Sequence, residues 1–205
     1  MRETLIELAA TSIEHGLLRG CEGPFDPRDL PEELREPRAT FVTLSTATGG
    51  LRGCRGVIEA CRPLADDVWA NAYASAFDDP RFQPIDAREF DQLDIEISIL
   101  SPPQPLVVAN EQTLLRSLVP HRDGVVLAWR NRRATFLPKV WEMLPDPGDF
   151  IVQLKLKAGL PTDFWADDVR VQRYRSDVVS GRVALTRAGS RSSAAAARAS
   201  SGSPN

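Results

Sequence analysis

The stretch Gly49-Gly50-Leu51-Arg52-Gly53-Cys54-Arg55-Gly56 sets one cysteine between two arginines and brackets it with glycines. A guanidinium within two residues favours a thiolate over a thiol, which makes Cys54 a candidate nucleophile or ligand-contacting thiol. Alternation along a strand puts Arg52 on the face of Cys54 and Arg55 on the other, so Arg52 is the stronger partner, an anion clamp. Gly53 and Gly56 permit close backbone approach, and the flanking arginines are the forked donors that a carboxylate or phosphate takes. Ligand contacts are therefore expected at Arg52, Gly53, Arg55 and Gly56, with a small anionic ligand as one occupant. Two plainer readings stand beside catalysis: Cys54 as a small buried apolar side chain on a sheet, and a non-catalytic module that binds an anionic ligand or a protein partner without covalent chemistry. Glu96 and Ser98 alternate with apolar residues on a later strand. If that strand runs beside Cys54, Glu96 is the candidate proton-transfer partner. His121, in the turn-like run Val119-Pro120-His121-Arg122-Asp123-Gly124, is read as exposed rather than as a base.

Composition narrows what chemistry those residues can serve. Lys and Arg number 25 against 28 Asp and Glu, a formal charge of −3, so no whole-chain field draws the protein to nucleic acid or to an anionic membrane. Three cysteines, Cys21, Cys54 and Cys61, and two histidines, His15 and His121, are too few and too scattered for a zinc site or a disulfide framework. The expectation is a cytoplasmic protein in a reducing compartment, with no metal. No G-x-G-x-x-G and no P-loop is present, so no nucleotide cofactor is expected. Charge-relay triads and paired-carboxylate motifs are likewise missing, and negligible hydrolysis of common esters, amides, phosphates or glycosides is expected of the chain alone.

The elements that must position the cysteine follow from periodicity. Ile6, Ala9, Ala10, Ile13 and Leu17 recur at helical spacing over residues 3–18. Four prolines between Cys21 and Pro37 make a connector with room for one short helical turn at Pro31-Glu32-Glu33-Leu34-Arg35-Glu36. Thr40–Ser45 and Leu51–Ala60 read as two strands joined by a glycine turn, which places Cys54 on a strand. Pro63 opens a helix with Asp66 and Asp67 in its first turn, ending before Pro80. Leu93–Leu100 alternates as a half-buried strand, Val125–Trp129 and Arg133–Leu137 form a second hairpin, and a helix through Phe150, Leu154 and Ala158 stops at Gly159. Asp168–Val179 reads as one last strand. Past Ser180 the chain is Ala, Ser, Gly and Arg, too poor in apolar groups to offset ordering entropy. The division expected is a domain over 1–180 and a disordered tail over 181–205. At 205 residues and 42% hydrophobic content the chain builds one core or two lobes.

Five blocks in order carry a resemblance: Leu51–Gly56 (LRGCRG), Ala60–Phe82 (ACRPLADDVWANAYASAFDDPRF), Leu93–Leu106 (LDIEISILSPPQPL), Phe136–Val140 (FLPKV) and Phe150–Trp165 (FIVQLKLKAGLPTDFW). From Leu5 to Val179 the chain resembles the AMMECR domain family, found in prokaryotes within the AmmeMemoRadiSam system. The resemblance implies an α+β fold, a mostly antiparallel sheet flanked by helices with a smaller second lobe, and the LRGC motif at a cleft. It implies association with a Memo-type protein and a radical-SAM enzyme, hence an accessory enzyme or carrier. Arg55 departs from the isoleucine the family commonly has there.

Overall fold

The computed structural model describes residues 1–183. In chain order they form α1 (Arg2–Arg19), α2 (Glu32–Arg35), β1 (Ala39–Ser45), β2 (Leu51–Gly56), α3 (Leu64–Phe77), α4 (Ala87–Phe90) and β3 (Asp94–Leu100). There follow β4 (Gln104–Pro105), α5 (Glu111–Ser117), β5 (Gly124–Trp129), β6 (Arg132–Phe136), a 3₁₀ turn (Pro138–Glu142), α6 (Pro147–Lys157), β7 (Arg170–Tyr174) and β8 (Ser176–Arg182). The chain divides into two compact units, one made of residues 1–99 with the segment from Val178 onward, the other of residues 100–177. This is the α+β fold that the resemblance implied.

In the first unit the sheet runs β2-β1-β3-β8. The i, i+3, i+4 spacing of α1 buries Leu5, Ile6, Ala9, Ala10 and Ile13, and Gly20 ends the helix in the left-handed region at φ 70°. Helix α1 packs along α3, and α3 lies on β1 and β2. Val42 and Leu44 of β1, Ile95 and Ile97 of β3, and Val179 of β8 join the helices in one core. Strand alternation therefore gives the opposite face of the sheet to Phe41, Thr43, Asp94, Glu96 and Ser98. Asp67, fully buried in α3, ties that helix to the sheet: it accepts from the Thr40 N–H at 2.8 Å, Thr40 Oγ1 at 2.6 Å, Asn71 Nδ2 at 2.9 Å and Arg62 Nη2 at 2.9 Å. With Arg62 Nε at 3.2 Å as well, five donors on one carboxylate compensate its loss of water.

The second unit has the antiparallel sheet β4-β7-β5-β6. Its core stacks Trp141 on Phe150 with centroids 3.8 Å apart, beside Val125, Leu127, Ile151 and Leu154. Lys155, 1% exposed, is held by Glu111 at 2.7 Å and by the Thr162 carbonyl at 3.0 Å. Asp146 caps α6 by accepting from the N–H groups of Gly148 and Asp149.

Three sequence expectations shift. Strand β2 is shorter than Leu51–Ala60, because its ladder with β1 ends at the Phe41–Gly56 pair and Pro63 soon caps α3. The run Asp168–Val179 is not one strand. It breaks at Arg175, whose N–H donates to Ser101 Oγ and whose carbonyl accepts from the Ser101 N–H, so β7 and β8 belong to different sheets. The expected tail boundary at 181 falls inside β8, which runs to Arg182, and Val183 is fully buried. The remainder of that tail, 184–205, lies outside the described residues.

Candidate functional site

Strand β2 is an edge strand, and edge strands carry backbone groups in need of partners. On its inner side Cys54 pairs with Thr43 of β1, and the Thr43 hydroxyl donates to Cys54 Sγ at 3.4 Å. Cys54 is half-buried, on the face of the sheet away from α1 and α3. On the outer side the Cys54 N–H donates to Asp79 Oδ2 at 2.8 Å, and Arg81 Nη2 donates to the Cys54 carbonyl at 3.4 Å. Asp79 and Arg81 are themselves joined, Nη2 to Oδ2 at 2.6 Å and Nε to Oδ1 at 2.9 Å. One carboxylate and one guanidinium thus close both backbone groups of Cys54, which fixes the thiol and blocks strand addition at that point.

Residue types alone did not mark Asp79 or Arg81, which stand 25 and 27 positions after Cys54. A signal was present. Asp-Pro-Arg occurs at 26–28 and again at 79–81, and both copies make the same local fork, in which the aspartate accepts from the arginine N–H and Nε. Asp26 is 54% exposed and Asp79 only 3%, so the second copy is the one built into the protein. The Arg81 guanidinium holds the Asp79 carboxyl far below the usual carboxylate range, opposed by burial and assisted by the Cys54 N–H. Asp79 in turn raises Arg81, opposed by burial, with a smaller contribution from the Cys54 side chain.

Arg52 shares the Cys54 face, as alternation required, but its guanidinium is occupied. Nε donates to Glu89 Oε1 at 2.7 Å and Nη2 to Glu89 Oε2 at 2.9 Å, with the side chain 14% exposed. The Glu89 bond raises Arg52 and lowers Glu89, and Asp86 adds to the pull on Arg52. Glu89 also completes a capping box with Asp86 at the start of α4, so Arg52 ties β2 to that turn. The Phe82 ring has two cations near it, with the Arg52 Cζ 6.0 Å and the Arg81 Cζ 5.4 Å from its centroid.

The remaining candidates fall elsewhere. Arg55 is exposed on the α3 side, its N–H bonded to Ser75 Oγ at 2.9 Å. The close approaches at the glycines are made by the chain itself. A Cβ on Gly53 would stand 2.0 Å from the Ser75 carbonyl oxygen of α3, and one on Gly56 would stand 2.4 Å from both Phe41 and the Thr40 carbonyl. Both glycines serve packing. Glu96 is on the Cys54 face, but β1 separates their strands, so they are at least two strand spacings, roughly 9–10 Å, apart. Glu96 is thus not a cross-strand neighbour of Cys54. His121 is exposed, with φ 62°, in the second unit. Among the described residues no three His, Cys, Asp or Glu side chains are grouped to hold a metal ion, and no helix is long and apolar enough to cross a membrane.

An α+β chain of two units, with a clamped cysteine on an edge strand, is the class these features define. The AMMECR1 family model matches residues 6–179, and the chain belongs to that family. It is 38% identical over 180 residues to a protein of Methanothermobacter thermautotrophicus, covering 85% of this chain and 91% of that one. Protein MJ0810 of Methanocaldococcus jannaschii is 36% identical over 151 residues, covering 72% and 75%. The crystal structure of an uncharacterized protein, PH0010, from Pyrococcus horikoshii superposes with a TM-score of 0.79 at 33% identity, over 86% of this chain and 89% of that one.

Proposed function

We propose that this AMMECR1-family protein works through Cys54 as an accessory enzyme or carrier, holding a group that a partner protein delivers. The observation that carries this reading is the half-buried Cys54 thiol, whose sulfur is engaged by Thr43 and whose backbone is clamped by Asp79 and Arg81. A rigid thiol at the rim of a polar sheet face is suited to receive a group in one orientation. The partners are a Memo-type protein and a radical-SAM enzyme, as the system named by the resemblance implies. A cytoplasmic setting suits the chain, since Cys21, Cys54 and Cys61 are all unpaired thiols.

A second reading has its own support. Arg52 already holds Glu89 and Arg81 already holds Asp79, so neither supplies unbalanced charge to a thiolate. That favours recognition without covalent chemistry. The experiment that separates the two is mass measurement on Cys54 in protein from its native host, together with co-purification of partners. Covalent handling predicts an adduct on Cys54 and loss of function in Cys54→Ser with partner binding retained. Full function in Cys54→Ser, with loss in Arg52→Ala, makes the protein a binding module.

A further inference from the structure

The outer clamp on Cys54 decides what happens on its inner side. In an antiparallel ladder, facing residues alternate between pairs whose main chains exchange hydrogen bonds and pairs whose main chains do not, and in the second kind the side chains stand closer. The Cys54 N–H and C=O are turned outward, to Asp79 at 2.8 Å and to Arg81 at 3.4 Å, so the pair it makes with Thr43 of β1 is of the second kind. That brings the Thr43 hydroxyl close enough to donate to Cys54 Sγ at 3.4 Å. Threonine is branched at Cβ and keeps few rotamers on a strand, so little freedom is lost in holding the hydroxyl there. A thiol sulfur is a weak acceptor and a thiolate is a charged one, and hydrogen bonds to charged acceptors are roughly twice as strong. The bond therefore strengthens when Cys54 ionises.

We infer that Thr43 is a positioning residue for Cys54, whose hydroxyl fixes the direction of the sulfur and supports its thiolate form. The inference rests on the reading of Cys54 as the working thiol and names the group that prepares it. The charged groups around the sulfur are arginines and carboxylates. Its own strand supplies Arg52, held by Glu89, while Arg55 stands on the opposite face with α3. The 79–81 segment supplies Arg81, which acts on the Cys54 side chain and is held by Asp79. The α4 turn adds Glu89 and Asp86, the latter in the field of both Arg88 and Arg52. On this face β1 presents Phe41 and Thr43, neither charged, and β3 beyond it presents Glu96 and Asp94, the latter paired with Arg182. All of these charges are present in every variant compared below, so the comparison isolates the hydroxyl.

The test is the pH profile of thiol–disulfide exchange at Cys54. Cys21→Ser together with Cys61→Ser removes the two exposed thiols and leaves Cys54 as the reacting one. Folded chain at neutral pH is mixed into buffers from about pH 6 to about pH 10.5, either side of the ordinary thiol range, with an uncharged dipyridyl disulfide, and the released pyridinethione is read by absorbance. The Cys54 thiolate attacks one sulfur of the probe, an S–S bond to Cys54 forms as the probe's own S–S bond breaks, and the departing thiolate takes a proton from buffer. Loss of one hydrogen bond to a charged acceptor lowers the ionised fraction about tenfold, and the less stabilised thiolate that remains is about threefold more nucleophilic. Thr43→Val, which matches threonine in shape and strand preference, is thus expected to react about threefold more slowly than the parent at about pH 7 and about threefold faster at the upper plateau, so that the two profiles cross. Thr43→Ser, which keeps a hydroxyl, is expected to follow the parent within about twofold. Rates in Thr43→Val that change by one factor in one direction at both ends, rates that do not change, or a Thr43→Ser profile like that of Thr43→Val overturns the inference and leaves the thiol reading standing. A Cys54 that reacts at no pH in the folded chain, yet reacts once the chain is unfolded in urea, overturns both.

Discussion

Asp79 shows how much one buried carboxylate determines here. It accepts from the Cys54 N–H, the Arg81 N–H and two Arg81 side-chain nitrogens, with 3% of its side chain exposed. Because Arg81 holds its folded pKa far below that of an unfolded aspartate, the stabilisation is present above the unfolded value near pH 4 and is lost as pH falls toward the folded value. Asp79→Asn is therefore expected to cost roughly 1–3 kcal/mol at neutral pH, read from urea unfolding, since Arg81 keeps solvent access and softens the loss. The same variant should also lose part of the decline in stability below pH 4. A variant as stable as the parent at neutral pH, with an unaltered acid limb, would remove Asp79 from this role. At this scale the sequence pointed to Cys54 with Arg52 and Glu96 beside it, and the structure sets Asp79 and Arg81 against the Cys54 backbone. Cys54 and the Arg52 face were legible because strand alternation is local. Asp79 and Arg81 were not, because they come from a loop on the far side of α3, and Glu96 was drawn in because nothing local tells which strand lies next to which.

Helix α3 and strand β2 meet where a side chain would not fit. The Ser75 carbonyl lies where the first carbon of any side chain at 53 would stand, 2.0 Å from an ideal Cβ, and the obstructing atom is backbone, which yields only if the helix moves. Ser75 is committed as well, its hydroxyl accepting from the Arg55 N–H and sharing its one proton between the carbonyl oxygens of Val42 and Asn71. Gly53→Ala is accordingly expected to destabilise by about 3 kcal/mol or more, at the upper end for overpacking. It should also loosen the Cys54 clamp, seen as faster hydrogen exchange at the Cys54 amide. An unfolding midpoint unchanged by that methyl group would mean that α3 and β2 are not held at this distance. The glycines were read from sequence as making room for a ligand. At Gly53 the close neighbour is the protein's own helix α3, and at Gly56 it is Phe41 and the Thr40 carbonyl of β1, neither of which local sequence identifies. Elements themselves were mostly legible: α1, α3, β1, β3 and the β5–β6 hairpin follow directly from apolar spacing and proline punctuation. The division of the last strand was hidden, because Arg175 breaks the run without a glycine or proline to announce it.

Across the whole chain, the first unit is completed by its own distant end. Strand β8 returns from the second unit to the edge of the sheet beside β3, adds Val179 to the core, and places Gly181 against Ile6 of α1. Arg182 pairs with Asp94 at 2.9 Å, the Val183 N–H donates to the Leu93 carbonyl at 3.2 Å, and the Val183 side chain is fully buried. Composition hid this, since Gly181 to Val183 stand at the head of a segment poor in apolar groups and the one valine that matters looks like its neighbours. The consequence is a sharp dependence on where the chain is cut. Truncation after Ser180 removes the buried Val183, the end of the β8 ladder and an ion pair. Burial of a valine contributes about 1.5–3 kcal/mol, whereas the exposed Arg182–Asp94 pair adds little. A chain ending at Val183 keeps all three. The expected outcome is a urea midpoint lower by a corresponding amount for the chain ending at Ser180 than for the chain ending at Val183. Because β8 lies beyond β3, at the opposite edge of the sheet from β2, the shorter chain should lose stability while Cys54 in its remaining folded fraction keeps the alkylation rate of the parent. Equal midpoints for the two truncations would show that β8 contributes nothing past Ser180. A Cys54 rate altered by the cut would show that the two edges of the sheet are coupled.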